Sequence, residues 1–392
     1  MTTQIKTIVA LVLFLFASKI SFAGATEDLW KALKSANDKD ALTAISAGAD
    51  VNNVDANGTS PLSLAACFSG AEVVKALIDG KAAIDYVQPA NGFTPLMNAA
   101  NWGNTEAVKL LLAAGANVKL KSKLGLPVIA VATASSKLEI IKMIVDAGAD
   151  PNEKYTVNAI ELVPFNSLIG VYDQNEKVTN LAANKPFIEK AGLMYPERLV
   201  NAKPEDFSPL SEITKYFLEK GADPNLKVIG GWGCILSQAA ELGKTGMVKA
   251  LIEGKADVNN PAGVFDRTPL YFACNKGHAD IVQLLIDAKA NLNPLSLIYN
   301  SDTWYKITPL MAASLGGFND CVEALCKAGA DVNYLAVKVD HKGEYNAASG
   351  NMTTWKLTVR NTAVSLANDN GHPDTVVLLK KYGGLAPKDI KK

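Results

Sequence analysis

Few side chains in this sequence could carry chemistry, and their spacing points away from catalysis. Histidine occurs three times, at His278, His341 and His372, too few for a histidine-rich metal centre. Cys67, Cys234, Cys274, Cys321 and Cys326 are irregularly placed, and the last two stand five residues apart rather than in the CxxC spacing of a redox or zinc site. They read as small helix-packing residues, with a single disulfide open in an oxidising compartment. There is no HExxH, no glycine-rich phosphate loop ending in Gly-Lys-Ser/Thr, and no Gly-x-Ser-x-Gly. Glu205-Asp206, close in sequence to Tyr195 and Arg198, is the off-pattern polar group that could serve an enzyme, given a closed pocket with convergent ionisable groups. No cofactor and no metal are expected.

Charge narrows the partners. Lys plus Arg and Asp plus Glu both total 39 in 392 residues, so the chain lacks the global positive field that drives phosphate-backbone binding. Lysine greatly outnumbers arginine, which removes the planar forks that read bases and phosphates. Nucleic acid is not an expected partner.

The N-terminal stretch has to be set aside first. Lys6 precedes an apolar run from Ile8 to Ala17, and Ser21-Phe22-Ala23 presents small residues at the two positions a signal peptidase reads. The run is about 10 residues, where a membrane span needs roughly 20. Residues 1–23 are therefore expected to be a signal peptide cleaved before Gly24, a retained anchoring helix being the alternative. No later segment is apolar for long enough to give a stable membrane span.

The elements that must position everything else are repeats. A closing phrase recurs as Gly48-Ala49-Asp50-Val51-Asn52, Lys81-Ala82-Ala83-Ile84-Asp85, Gly115-Ala116-Asn117-Val118-Lys119 and Gly148-Ala149-Asp150-Pro151-Asn152. It returns at Gly221, Lys255, Lys289 and Gly329, the first residues stepping by 33, 34, 33, 73, 34, 34 and 40. An opening phrase keeps step with it as Ser60-Pro61-Leu62, Thr94-Pro95-Leu96, Thr268-Pro269-Leu270 and Thr308-Pro309-Leu310, with degenerate forms at Cys234 and Thr362. Paired alanines such as Ala99-Ala100 follow, and then a helix-period apolar stretch such as Ile281, Val282, Leu285 and Ile286. A Thr N-cap satisfies a free backbone donor, and Pro inside the first turn has no N–H to satisfy. Glycine at the start of the closing phrase suits a left-handed helix end. Lysine at 81, 255 and 289 should weaken those turns.

Together these phrases resemble the ankyrin repeat. The resemblance implies an all-α, ankyrin-repeat solenoid of about nine helix-pair units with β-hairpin tips. The units run approximately 26–55, 56–88, 89–121, 122–153, 154–228, 229–262, 263–299, 300–334 and 358–387, within a repeat domain of 24–387 and before a basic tail, 388–392. The first unit, with Glu27, Asp28 and Lys31 around Leu29, Trp30 and Leu33, reads as a cap with one polar face. A long insertion, 170–207, falls between two helices of the fifth unit, whose first helix is expected from Asn158 through Leu162 and whose second runs from Pro209 through Leu218. Hairpin-side expansions lie at 294–305 and 334–360. The second alternates polar and apolar residues around Gly343 and Gly350 and reads as an elongated β-hairpin. Asp85, Asp257 and Asp331 read as turn-formers. His278 and His372 fall at the family's Gly-His inter-helix turn, where a hydrogen bond to the turn is their expected role.

By register, the resemblance places the variable exposed positions beside Thr-Pro-Leu and after the paired alanines. These are Phe68, Phe93, Asn101, Trp102, Glu241, Phe265, Arg267, Asn275, Lys276, Trp304, Tyr305, Ile307 and Leu315. Aromatic and arginine side chains concentrate interface energy. The expected function is an extracytoplasmic adaptor, periplasmic or secreted and monomeric by itself, that binds another protein through the concave groove and hairpin tips. The rivals are an inhibitor or immunity protein that occludes a periplasmic or secreted enzyme, and an enzyme with its site in the 170–207 insertion.

Overall fold

A computed structural model describes residues 24–133, 135–157, 160–165, 209–228, 233–261, 265–300, 303–339 and 361–390. The expected export segment, the 170–207 insertion, all but the start of 334–360, and the last two lysines of the tail lie outside these residues. The chain divides into two compact units, Met1–Ile213 and Thr214–Lys392.

In the first unit the helices come in consecutive pairs: α1 (24–34) and α2 (Asp38–Ser46), α3 (Pro61–Phe68) and α4 (Ala71–Asp79), α5 (Pro95–Asn101) and α6 (Thr105–Ala113), α7 (Val128–Thr133) and α8 (Leu138–Asp146). First helices pack on first helices, α3 on α5 and α5 on α7, while second helices pack as α2 on α4 on α6 on α8. The caps explain why each first helix begins where it does. The hydroxyls of Ser60 and Thr94 accept the N–H groups of Ser63 and Met97 at 3.1 and 3.2 Å, and Pro61 and Pro95 occupy the first turn. Ala65, Ala66, Ala99 and Ala100 are fully buried, so neighbouring first helices approach without a side chain between them. The second helices supply Val73, Val74, Leu77, Val108, Leu111, Ile140, Ile141 and Ile144, all wholly buried. Each such aliphatic contributes about 1.5–3 kcal/mol by leaving water. At the N-terminal end Leu29 and Leu33 are buried while Glu27, Asp28 and Lys31 are exposed, the one-sided polarity of a cap.

One expected helix is a hairpin. Ile160–Leu162, expected to be helical from Asn158, forms strand β2 and pairs antiparallel with β1 (Tyr155–Val157), Val157 opposite Ile160. Tyr155, Thr156 and Val157 in the first run and Ile160 in the second are β-branched or aromatic residues, which favour strands, and Pro164 blocks any helix running through it.

Helix α9 (Leu210–Glu219) runs across the boundary between the units, and the second unit then contains the pairs α10 (Ile235–Glu241) and α11 (Thr245–Glu253), α12 (Pro269–Lys276) and α13 (Ala279–Asp287), α14 (Pro309–Gly316) and α15 (Asn319–Lys327), α16 (Ala363–Asp369) and α17 (Pro373–Lys381). α10, α12, α14 and α16 stack in order, as do α11, α13, α15 and α17. A short hairpin, β3 (Lys227–Val228) and β4 (Gly233–Cys234), precedes α10. The 294–305 expansion is a longer antiparallel hairpin, β5 (Ser296–Asn300) and β6 (Thr303–Ile307). From the run expected to open an elongated hairpin, at 335–339, β7 (Val337–Val339) joins β6 as a third strand, Tyr305 opposite Lys338, and the rest of that expected hairpin lies outside the described residues.

Candidate protein-interaction surface

The closing phrases form a ladder that joins successive repeats. Within a turn, Asp50, Asp223, Asp257 and Asp331 each accept the N–H two residues on, at 2.8–2.9 Å. Between turns, the side-chain oxygen of the phrase's last residue accepts an N–H from the next copy. Asn52 takes Ala83, Asn225 takes Asp257, Asn259 takes Asn291, and Asn293 takes Asp331, at 2.7–2.9 Å. Asp85 belongs to this second group. It stands where the other copies have asparagine and accepts the N–H of Asn117 at 2.9 Å, so it links two turns rather than shaping its own.

The histidines act at the opposite end of each unit. His278 Nε2 lies 3.1 Å from the carbonyl oxygen of Glu241, the last residue of α10, and His372 Nε2 lies 3.0 Å from that of Leu315 in α14. Both rings therefore reach the preceding repeat rather than their own turn. Asn104 does the same in the first unit, donating to the carbonyls of Ala66 and Ser69 at 3.1 and 3.0 Å. These groups hold repeats together, and among the described residues no cluster of three or more His, Cys, Asp or Glu could hold a metal ion. The five cysteines are free and buried. Burial pushes the thiols up, Cys321 to about 12 and Cys326 to about 11, so neither is a nucleophile at neutral pH.

The aromatic positions divide into two groups, one in each compact unit. In the first, Phe68 ends α3 and Trp102 follows α5. Their rings meet edge to face, with centroids 5.0 Å apart and planes at 62°. Both remain partly exposed, as does Phe93 just ahead of the Thr94 cap. In the second, the Arg267 guanidinium lies over the rings of Phe265 and Tyr271 at 4.8 and 5.5 Å, and its Nε donates to the Leu297 carbonyl of β5 at 3.2 Å. Arg267 thus pins the strand pair to the start of α12. Tyr271 was not signalled by register, because it occupies the buried slot that Met97 and Met311 fill in their own units. Burial raises the pKa of its hydroxyl, the Arg267 charge lowers it, and Glu241 raises it. Lys276 Nζ approaches Glu241 Oε1 at 3.7 Å, with the lysine side chain 47% and the glutamate 24% exposed. So loose and open a pair contributes little and leaves the lysine accessible.

Three expected surface residues are not on the surface. Tyr305 is 6% exposed, Ile307 1% and Leu315 4%. Leu315 lies in α14, which packs between α12 and α16, and for the other two the strand pair is the reason. Tyr305 sits opposite Ile298 and Ile307 opposite Ser296 in the ladder, which turns positions that would face solvent in a plain repeat into packing positions. The backbone of Trp304 lies in β6, and its side chain is outside the described residues.

Helix pairs stacked in order, tied at both ends by asparagine and histidine side chains, define a helical repeat scaffold. The family model for ankyrin repeats (3 copies) matches residues 29–122, 92–155 and 236–336, together more than half of the chain. The chain belongs to the ankyrin-repeat family, whose repeats generally mediate protein–protein interaction and typically form a non-enzymatic scaffold. It is 33% identical over 112 residues to the ankyrin repeat and KH domain-containing protein mask of Drosophila melanogaster, covering 29% of this chain and 2% of that protein. It is 33% identical over 105 residues to the human ankyrin repeat and KH domain-containing protein 1, covering 27% and 3%. Against the probable E3 ubiquitin-protein ligase XBOS31 of Oryza sativa subsp. japonica, identity is 33% over 98 residues, covering 25% and 20%. The chain thus spans no more than a fifth of the length of these relatives.

Proposed function

We propose that this chain is an extracytoplasmic adaptor that binds another protein through the groove-side aromatic residues and hairpin tips of its repeats. The observation that carries the reading is the Phe68–Trp102 pair. Two large rings from successive repeats meet at 5.0 Å and stay partly open to solvent, a rigid aromatic anchor of the kind that concentrates interface energy. Lys276, exposed beside Glu241, supplies a polar contact of the same sort in the second unit. The extracytoplasmic setting is supported by the signal-like pattern of Lys6, the apolar run Ile8 to Ala17 and Ser21-Phe22-Ala23.

Affinity capture from the native exported fraction tests this. The wild-type chain should retain a protein that Trp102→Ala combined with Arg267→Glu releases. Because Arg267 also holds β5, Trp102→Ala with Lys276→Glu is the cleaner companion variant. Undiminished capture by both, with native circular dichroism, would remove the proposal.

A further inference from the structure

Three of the six exposed large aliphatic side chains among the described residues stand on the hairpin tips of three consecutive repeats in the first compact unit. They are Val54, Val87 and Leu124, at 41%, 48% and 61% exposure. The third tip is also basic. Residues 117–127 contain Lys119, Lys121 and Lys123 and no acid, and all three lysines are exposed. Lys121 pairs with Glu153 at 2.7 Å. Lys119 and Lys123 have no acidic partner among the described residues. Nearby tip carboxylates already have backbone partners. Asp55 accepts the N–H groups of Asn57 and Thr59 at 2.9 and 2.8 Å, and Asp85 accepts that of Asn117.

The edge is also pre-ordered. The Tyr86 hydroxyl donates to the Gly58 carbonyl at 2.9 Å, Gln88 Nε2 donates to Thr59 Oγ1 at 3.1 Å, and the Lys123 N–H donates to the Asn91 carbonyl at 2.9 Å. A partner laid along these tips would meet a surface whose backbone needs little further ordering, which lowers the entropic cost of binding.

We propose that this edge binds an extended protein segment rich in acidic and aliphatic residues, its carboxylates meeting Lys119 and Lys123 and its aliphatic side chains covering Val54, Val87 and Leu124. The proposal rests on the protein-binding reading above and names the chemistry of the partner. Separate tips lack the continuous apolar face with which an amphipathic helix enters a bilayer surface. These five residues include neither the arginine nor the aromatic platform that single-stranded nucleic acid uses.

Selection of random peptides on the full chain, followed by fluorescence anisotropy of those recovered, tests it. The expected peptides are enriched in Asp, Glu and aliphatic residues. Their affinity should fall ~10-fold in the Lys119→Glu/Lys123→Glu variant and in Leu124→Ser, and weaken as salt is raised. Recovered peptides without acidic excess, or affinities unchanged in either variant with a native fold, would overturn the inference. So would lysine-dependent binding of phosphatidylserine vesicles or of a single-stranded oligonucleotide when no acidic peptide is recovered. Peptides released by Trp102→Ala but not by the lysine variants would remove this edge and leave the adaptor reading standing. Failure to recover any peptide, together with no protein in the capture experiment, would remove both.

Discussion

The side-chain oxygen of Asn259 accepts the backbone N–H of Asn291 at 2.7 Å, across 32 residues of sequence. The same relation recurs from Asn52, Asp85, Asn225, Asn293 and Asn333, so the closing phrase links repeats as well as ending them. Because the role is acceptor only at position 259, Asn259→Ala should cost about 1 kcal/mol, while Asn259→Asp should cost a few tenths, as Asp85 already shows the carboxylate can serve. Asn52 also donates, from Nδ2 to the Lys81 carbonyl at 3.0 Å, so Asn52→Asp should lose more than Asn259→Asp. Denaturant unfolding of the three variants checks the order. Equal losses for Asn259→Ala and Asn259→Asp would contradict it.

The lysines that replace glycine at the closing phrase adopt the left-handed region, with φ of 68° at Lys81, 64° at Lys255 and 65° at Lys289. A non-glycine residue there costs roughly 1–2 kcal/mol, part of which is offset because glycine has more freedom in the unfolded chain. Lys81→Gly, Lys255→Gly and Lys289→Gly should each stabilise by about 0.5–1 kcal/mol. Space is not the obstacle, since a Cβ at the equivalent Gly115, Gly148 or Gly329 would have nothing within 4 Å. That openness is why lysine is tolerated at all. A lower unfolding midpoint for these variants would show that the side chains make compensating contacts.

Those turns, and the Ser/Thr-Pro-Leu caps, were legible because each is a local rule. A cap needs one hydroxyl three residues from one N–H, and a left-handed helix end needs one permissive residue. What escaped the sequence is non-local. Register places Tyr305, Ile307 and Leu315 outside, yet all three lie inside: Tyr305 and Ile307 belong to the β5–β6 strand pair, and Leu315 to α14, which packs between α12 and α16. Ile160–Leu162 was read as helix by analogy with the other units. The apolar residues there satisfy either period, and three-residue runs flanking a two-residue connection settled into a hairpin instead. Val54, Val87 and Leu124 carry no signal singly in the sequence, since isolated exposed aliphatics are common. Their significance comes from standing on successive tips.

Gly243 lies against His278, and the contact should be measurable as a coupling. Gly243 has φ of 69°, and a Cβ built on it would fall 2.8 Å from His278 Cε1. Gly371 has φ of 82° with nothing within 4 Å of its Cβ position. Gly371→Ala should therefore show the conformational cost alone, about 1–2 kcal/mol, and Gly243→Ala that cost plus displacement of the ring. His278→Ala should lose about 1 kcal/mol with the Glu241 hydrogen bond. The Gly243→Ala/His278→Ala double variant should be more stable than the sum of its parts by at least ~0.5 kcal/mol. Strict additivity would mean that the ring does not rest on the glycine.

The buried thiols give the fold an alkaline limit. Cys321 is pushed up from 9.0 to about 12 by burial first and then by Asp320 and Asp280. Cys326 rises to about 11 by burial first and then by Glu323. Burial raises Cys274 well above its ordinary value. A group whose folded pKa exceeds its unfolded value leaves stability intact below the unfolded pKa and withdraws it as pH climbs toward the folded one. Urea stability should therefore hold up to about pH 9 and fall between pH 9 and 12. Cys321→Ala should flatten that fall while costing some packing at every pH. The same burial keeps the native thiols protonated and covered, so at pH 8 iodoacetamide should label Cys321 only as fast as the protein opens. Rapid labelling of the native chain at Cys321, or an alkaline slope unchanged in Cys321→Ala, would show that this thiol is not held neutral by the helices around it.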